Sequence, residues 1–186
     1  MSELSYRAQL LAESSSVRKR FEASSELLNQ RVDIVRKPEM RIAYVRSIGP
    51  YFDVEGANLR ASTTLADWAK RRGLWSPDAT FLGVCPNAAA LTPPNLCVYD
   101  VGIVVREDIV EDDTISIQTL PSGKYAALSV ACSSLQLDSV WSWMVSTWLP
   151  ASGETYELKN SYEVYVPGQH DIIKPEYGVE VCLRLV

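Results

Sequence analysis

The sequence predicts an α+β fold in which two copies of a strand-helix-strand-strand module form one antiparallel sheet about a pseudo-two-fold axis, with a central ligand groove. Apolar periodicity passes through that element order twice between Val32 and Val186. Pro38 and Pro121, Pro86 and Pro167, and Asp100 and Glu180 recur at offsets of 80 to 83 residues, as an internal duplication requires. A chain of 186 residues that is 47% hydrophobic and 22% charged is long enough for one domain with a substantial core.

Taken in order, residues 3–30 carry Leu10, Leu11, Val17, Phe21, Leu27 and Leu28 at near-helical spacing, interrupted by serines at 14–16. A broken amphipathic helix is expected at 1–30, ahead of a main domain at 31–186. It is a domain-packing arm, a linker or a dimer contact, and the residues do not choose among these. The first module spans 31–113. In it Val32, Ile34, Met40, Ile42 and Tyr44 alternate as a strand pair or one long bent strand broken at Pro38. A turn at Gly49-Pro50-Tyr51 leads to a helix at 59–72 with Leu65, Trp68 and Ala69 on one face and Gly73 as its stop. Strands at 81–85 and 98–105 follow, joined by a Pro- and Ala-rich loop, and an acidic connector closes the module. The second module, 114–186, repeats the order. It has a strand region at 115–132 broken at Pro121 and Gly123, a Trp-rich helix at 135–149 ending near Pro150, and strands at 162–166 and 179–185.

Composition removes several functions. The formal charge of −5 argues against nucleic-acid binding by this chain alone. Its two basic clusters, at 18–20 and 70–72, read as solvated helix surface. No apolar run approaches the roughly 20 residues of a membrane span, and no signal peptide is recognisable, so a cytoplasmic location without membrane contact is expected. Cys85, Cys97, Cys132 and Cys182 are scattered through apolar strand-like runs and read as core thiols. With His170 as the sole histidine, neither a zinc site nor a Ser-His-Asp triad is expected, and no cofactor or metal is.

Five strings, in order, carry a family resemblance: Arg41-Ile42-Ala43-Tyr44-Val45 with Gly49-Pro50-Tyr51; Tyr99-Asp100-Val101-Gly102-Ile103-Val104-Val105; Ser122-Gly123-Lys124-Tyr125-Ala126; Tyr162-Glu163-Val164-Tyr165; and Val179-Glu180-Val181-Cys182. Together they resemble the GyrI-like family, which includes the effector-binding halves of Rob- and BmrR-type regulators and the gyrase inhibitor SbmC. The resemblance implies a groove between two modules that binds lipophilic, often cationic, small molecules. Leu4-Ser5-Tyr6-Arg7 is similar to the tail of an AraC-type DNA-binding domain. That similarity implies either an effector domain with its DNA reader upstream or a stand-alone relative.

Strand alternation puts Glu163 and Tyr165 on one face and Tyr162, Val164 and Val166 on the other. The second set reads as core, which turns Glu163 towards the groove. The resemblance assigns Glu163 to the ligand's cation and Tyr177 to the groove wall. Tyr165, Tyr44, Trp143 and Trp75 are further wall candidates, while Trp141 and Trp148, seven residues apart, share a helical face and read as core. An acid among aromatics has its pKa raised by desolvation, and each aromatic face contributes roughly 0.5 to 2 kcal/mol to a bound cation. Alternatively, Glu163 pairs with an internal arginine such as Arg41. Asp100 and Glu180 read as structural ties. The leading expectation is a small-molecule-binding effector domain without catalysis. The alternatives are a GyrI-like hydrolase of cyclopropane-bearing DNA-alkylating compounds, with Glu163 directing water, and an SbmC-like partner of DNA gyrase.

Overall fold

The computed structural model describes residues 31–49, 56–87, 92–157, 159–166 and 177–186. The expected arm at 1–30, the Pro50-Tyr51 part of the first turn and His170 lie outside the described residues. Proline and glycine cut the chain into its elements. Strands β1 (Asp33–Lys37) and β2 (Met40–Ile48) are separated at Pro38, which has no N–H to give a ladder. Although neighbours in sequence, they do not pair: β1 joins β6, and β2 lies between β4 and β5.

Helix α1 (Ala57–Arg71) buries Ala61, Leu65, Trp68 and Ala69, the spacing of a single stripe. Lys70 and Arg71 in its last turn complement the negative end of the helix dipole, and Gly73, at φ 68°, takes the left-handed conformation that ends it. Strands β3 (Phe81–Cys85), β4 (Val98–Val104), β5 (Ser116–Leu120) and β6 (Gly123–Cys132) follow. Ser133 then caps α2 (Ser134–Trp143) through a reciprocal box: Gln136 N donates to Ser133 Oγ at 3.3 Å, and Ser133 N donates to Gln136 Oε1 at 2.8 Å.

The second helix does not stop at Pro150 as the sequence suggests. It widens into a π-helical segment, Met144–Trp148, and resumes as α3 (Leu149–Ser152) with Pro150 in its first turn, where a missing N–H costs nothing. Gly153, at φ 72°, terminates it. Strands β7 (Ser161–Tyr165) and β8 (Tyr177–Arg184) complete the chain.

All eight strands form one antiparallel, curled sheet in the order β1-β6-β8-β7-β3-β4-β2-β5. The order returns itself, reversed, when β1 to β4 are exchanged with β5 to β8. At its centre β3 and β7 pair over five residues, and the middle pair is Gly83 and Glu163. Each half-chain lends its first strand to the edge of the other half.

Both helices lie on one face. Ala43, Phe81 and Ile103 pack under Leu65 and Trp68 of α1, and Leu128, Val179, Val181 and Leu183 under Leu137, Val140 and Trp143 of α2. Tyr165 touches both clusters and stands at their junction. Among the described residues no helix covers the other face, which buries Ile42, Leu82, Tyr125 and Tyr162 as the sheet curls upon itself, with the two tyrosine rings 5.2 Å apart. Here Arg46 holds the buried Asp100 carboxylate through two bonds of 2.7 and 2.8 Å, Gln118 adds a third at 3.0 Å, and Lys37 holds Glu180 at 2.6 Å. These acids tie β4 to β2 and β5, and β8 to β1. Among the described residues no helix is long and apolar enough to cross a membrane.

Leu82, fully buried in central strand β3, offers a stability test. Leu82→Ala is expected to cost about 2–5 kcal/mol through lost transfer energy and the remaining cavity. Urea unfolding should show a lower midpoint with an unchanged slope.

Candidate functional site

On the helix-bearing face, between the α1 and α2 clusters, one charged side chain is buried among the described residues: Glu163, 3% exposed. Alternation along β7 sends it there with Ser161 and Tyr165, while Tyr162 faces the curled core. Among the described residues its carboxylate is met by neutral donors alone. Tyr99 Oη and Tyr165 Oη both donate to Oε1, the latter at 2.8 Å, and Trp141 Nε1 donates to Oε2 at 3.0 Å. The two hydroxyls lie 2.7 Å apart. Among the described residues no Lys, Arg or His comes within 4.0 Å of the carboxylate. Arg41, an expected internal partner, instead donates to Ile109 O at 2.6 Å.

Three strands and a helix build this arrangement. Glu163 stands on β7, directly opposite Gly83 on β3, and Gly83 is opposite Val101 on β4. Tyr99, two residues from Val101 and on the same face, reaches diagonally across β3 to the acid. Leu137, Val140 and Trp143 form the core stripe of α2, continued by Met144, so Trp141 falls on its flank and points its indole N–H at the seam. Tyr99, Trp141 and Tyr165 are each half-buried and shield the fully buried acid.

The electrostatics follow from that burial. Desolvation raises the Glu163 pKa above the ordinary 4.5, and the bonds from Tyr99, Trp141 and Tyr165 pull it partly back. Burial, reinforced by the Glu163 charge, holds the Tyr99 and Tyr165 hydroxyls well above the usual phenol range. Burial and then the same charge push the Cys85 thiol up as well. The site is a buried acid in an aromatic setting. Among the described residues no cluster of His, Cys, Asp and Glu is fit to hold a metal.

Of the residues expected from sequence, Glu163 and Tyr165 come together. Tyr177 is buried behind Tyr165, their rings 5.6 Å apart, as a second layer. Trp75 lies one ring further out, 4.8 Å from Phe81, with Lys70 Nζ 5.0 Å from its centroid. Two expected wall residues lie away from Glu163. Tyr44 is on the opposite face of the sheet, beneath Arg46, because its strand parity matches Ile42 and not Ala43. Trp143 is 5% exposed within the second-half core, and its neighbour Trp141 takes the place at the acid. Tyr99 and Trp141 were missed. The alternation Tyr99, Val101, Ile103 marks one face of β4, but only its register with β3 and β7 aims Tyr99 at Glu163.

A family model described as the GyrI-like small molecule binding domain matches residues 30–186. YosT, an SPbeta prophage-derived candidate transcriptional regulator of Bacillus subtilis (strain 168), is 34% identical over 96 residues, which are 52% of this chain and 62% of that relative. The match thus spans less than two thirds of its length. The cryo-EM structure of an EcmrR–DNA complex superposes with a TM-score of 0.63 at 13% identity, over 98% of this chain and 68% of that one. SAV2435, solved bound to tetraphenylphosphonium, superposes with a TM-score of 0.51 at 12% identity, over 84% of this chain and 94% of that one. At these identities the two solved structures establish a shared fold.

A buried acid with a raised folded-state pKa binds its proton more tightly folded than unfolded. Its contribution to stability is therefore full below the ordinary pKa of 4.5 and is lost as pH rises through the folded value. Glu163→Gln removes this dependence. Denaturation of both proteins from pH 4 to 8 should show the variant gaining stability relative to wild type as pH rises, with the difference levelling off once the acid is ionised.

Proposed function

Because the chain belongs to the GyrI-like small-molecule-binding family, we propose that it is a ligand-sensing domain whose ligand is a lipophilic aromatic cation, drawn to Glu163 between Tyr99, Trp141 and Tyr165. The observation carrying this reading is a fully buried carboxylate whose partners among the described residues are all neutral. An ionised carboxylate out of water carries a penalty on the order of several kcal/mol, which hydrogen bonds offset in part and a cation offsets directly. A cation without N–H groups suits this site well, since the aromatic faces attract its charge and need no hydrogen bond from it. The described residues offer that charge from no Lys or Arg, and a ligand supplies it.

The symmetric strand order and the recurring offsets support an origin by duplication, with modules at 31–113 and 114–186. The 80-residue offset that relates Asp100 to Glu180 also relates Gly83 to Glu163, the central pair of the β3–β7 ladder. On this reading the pseudo-two-fold axis runs through the site. An acid in both copies would set two carboxylates face to face, and glycine in one leaves a single charge with room beside it.

Regulation is the cellular role we favour, with this domain coupled to a DNA-reading unit. The likeness to YosT and the fold shared with EcmrR support it. Hydrolysis fits less well: Glu163 has hydrogen-bond donors but, among the described residues, no second carboxylate or histidine bonded to it to complete an acid–base pair. Contact with gyrase rests on the family resemblance alone.

Tetraphenylphosphonium and its neutral analogue triphenylphosphine oxide test the charge requirement. The cation at about 100 times its Kd should stabilise wild type by about 2.7 kcal/mol, and the neutral compound should do far less. Calorimetry on Glu163→Gln should show the cation's affinity weakened tenfold or more, about 1.4 kcal/mol. Equal binding of the cation by both proteins would remove Glu163 from the reading.

A further inference from the structure

Glycine at position 83 does specific work in this site. A Cβ placed there would land inside the Tyr99 phenol, overlapping Oη and Cζ and lying 2.7 Å from Cε2. At Gly123 the atoms a Cβ would overlap belong to the flexible end of Arg184, and at Gly102 the nearest atom is 3.2 Å away. Tyr99 thus lies in the space a side chain at 83 would fill. From β4 it crosses β3 at the one residue that leaves a gap and ends on Glu163 of β7.

The consequences for a ligand are geometric. Oε1 is covered by two hydroxyls, Tyr99 and Tyr165, whose oxygens lie 2.7 Å apart, and Oε2 by the Trp141 indole. Tyr165 is held on its own strand, with the Tyr177 ring 5.6 Å behind it and both core clusters at its sides. Trp141 is fixed on a helix. Tyr99 reaches the acid from two strands away and is half-buried.

Resting on the cation-binding reading above, we infer that Tyr99 is the specificity-determining residue of this site: a phenol seated on Gly83 that occupies the ligand's place on Glu163 and must be displaced by it. A neutral ligand that displaces the phenol takes a hydrogen bond from the carboxylate and returns no charge. A cation returns charge. Tyr99 therefore acts as a filter that raises the threshold for neutral aromatics, and Gly83 is the seat on which the filter depends.

Two variants probe the pair from opposite sides. Tyr99→Phe keeps the ring and removes its bond to Glu163, and Gly83→Ala keeps the hydroxyl and removes its seat. Hydrogen bonds to charged groups are strong enough that relieving this one should tighten tetraphenylphosphonium binding on the order of tenfold in calorimetry. Both variants should also narrow the preference for the cation over triphenylphosphine oxide. If Gly83→Ala does not fold, Tyr99→Phe alone decides. Wild-type binding with unchanged or weaker binding by Tyr99→Phe overturns the filter and leaves the cation site standing. Absence of binding by wild type and Tyr99→Phe alike overturns both. Binding by Tyr99→Phe where wild type binds little supports the filter in its strongest form.

Discussion

A buried carboxylate that meets no counter-charge among the described residues organises this molecule. Glu163 sits at the centre of an eight-stranded sheet, at the junction of two helix-covered cores, where an ionised group is costly. Two tyrosines and a tryptophan, on β4, β7 and α2, supply the hydrogen bonds that make its burial tolerable. The same three residues form an aromatic surround. Partial compensation is what makes the site receptive: a fully paired acid has little to gain from a ligand, and an exposed acid is already satisfied by water.

The contrast with Asp100 makes the point. That acid is equally buried, but it lies on the curled face, where Arg46 grips it with both guanidinium arms and Gln118 adds a third bond. Its work is to join strands. Glu180 is likewise held by Lys37. The two faces of the sheet thus divide the labour, with paired acids tying strands on one side and the unpaired acid waiting among aromatics on the other. Both helices on a single face leave a seam between them, and β3 with β7 forms its floor.

How much of this was legible in the sequence depends on whether the information was local. Alternation in Tyr162-Glu163-Val164-Tyr165 is a property of one strand, and it placed Glu163 and Tyr165 on the same face. Glycine and proline marked most element ends for the same reason. Tyr44 shows the limit: alternation orders residues within a strand, but relating one strand's faces to another's requires their register. Tyr99 needed the register of β4, β3 and β7 together, which are far apart along the chain. The tryptophans failed differently. Helical spacing grouped Trp141 with Trp148, yet which flank of α2 meets the seam is decided by how the helix docks, and the π-helical segment shifts the phase before Trp148. Pro150 misled because its missing N–H falls in the first turn of a resumed helix.

The most direct test of the central claim is a crystal structure of the chain with tetraphenylphosphonium. The expected result is the cation on the helix-bearing face, in van der Waals contact with the Glu163 carboxylate and flanked by Trp141 and Tyr165, with the Tyr99 phenol turned off Gly83. A cation seated on the curled face by Tyr44, or one bound away from Glu163 with its hydrogen bonds to Tyr99, Tyr165 and Trp141 intact, would contradict it.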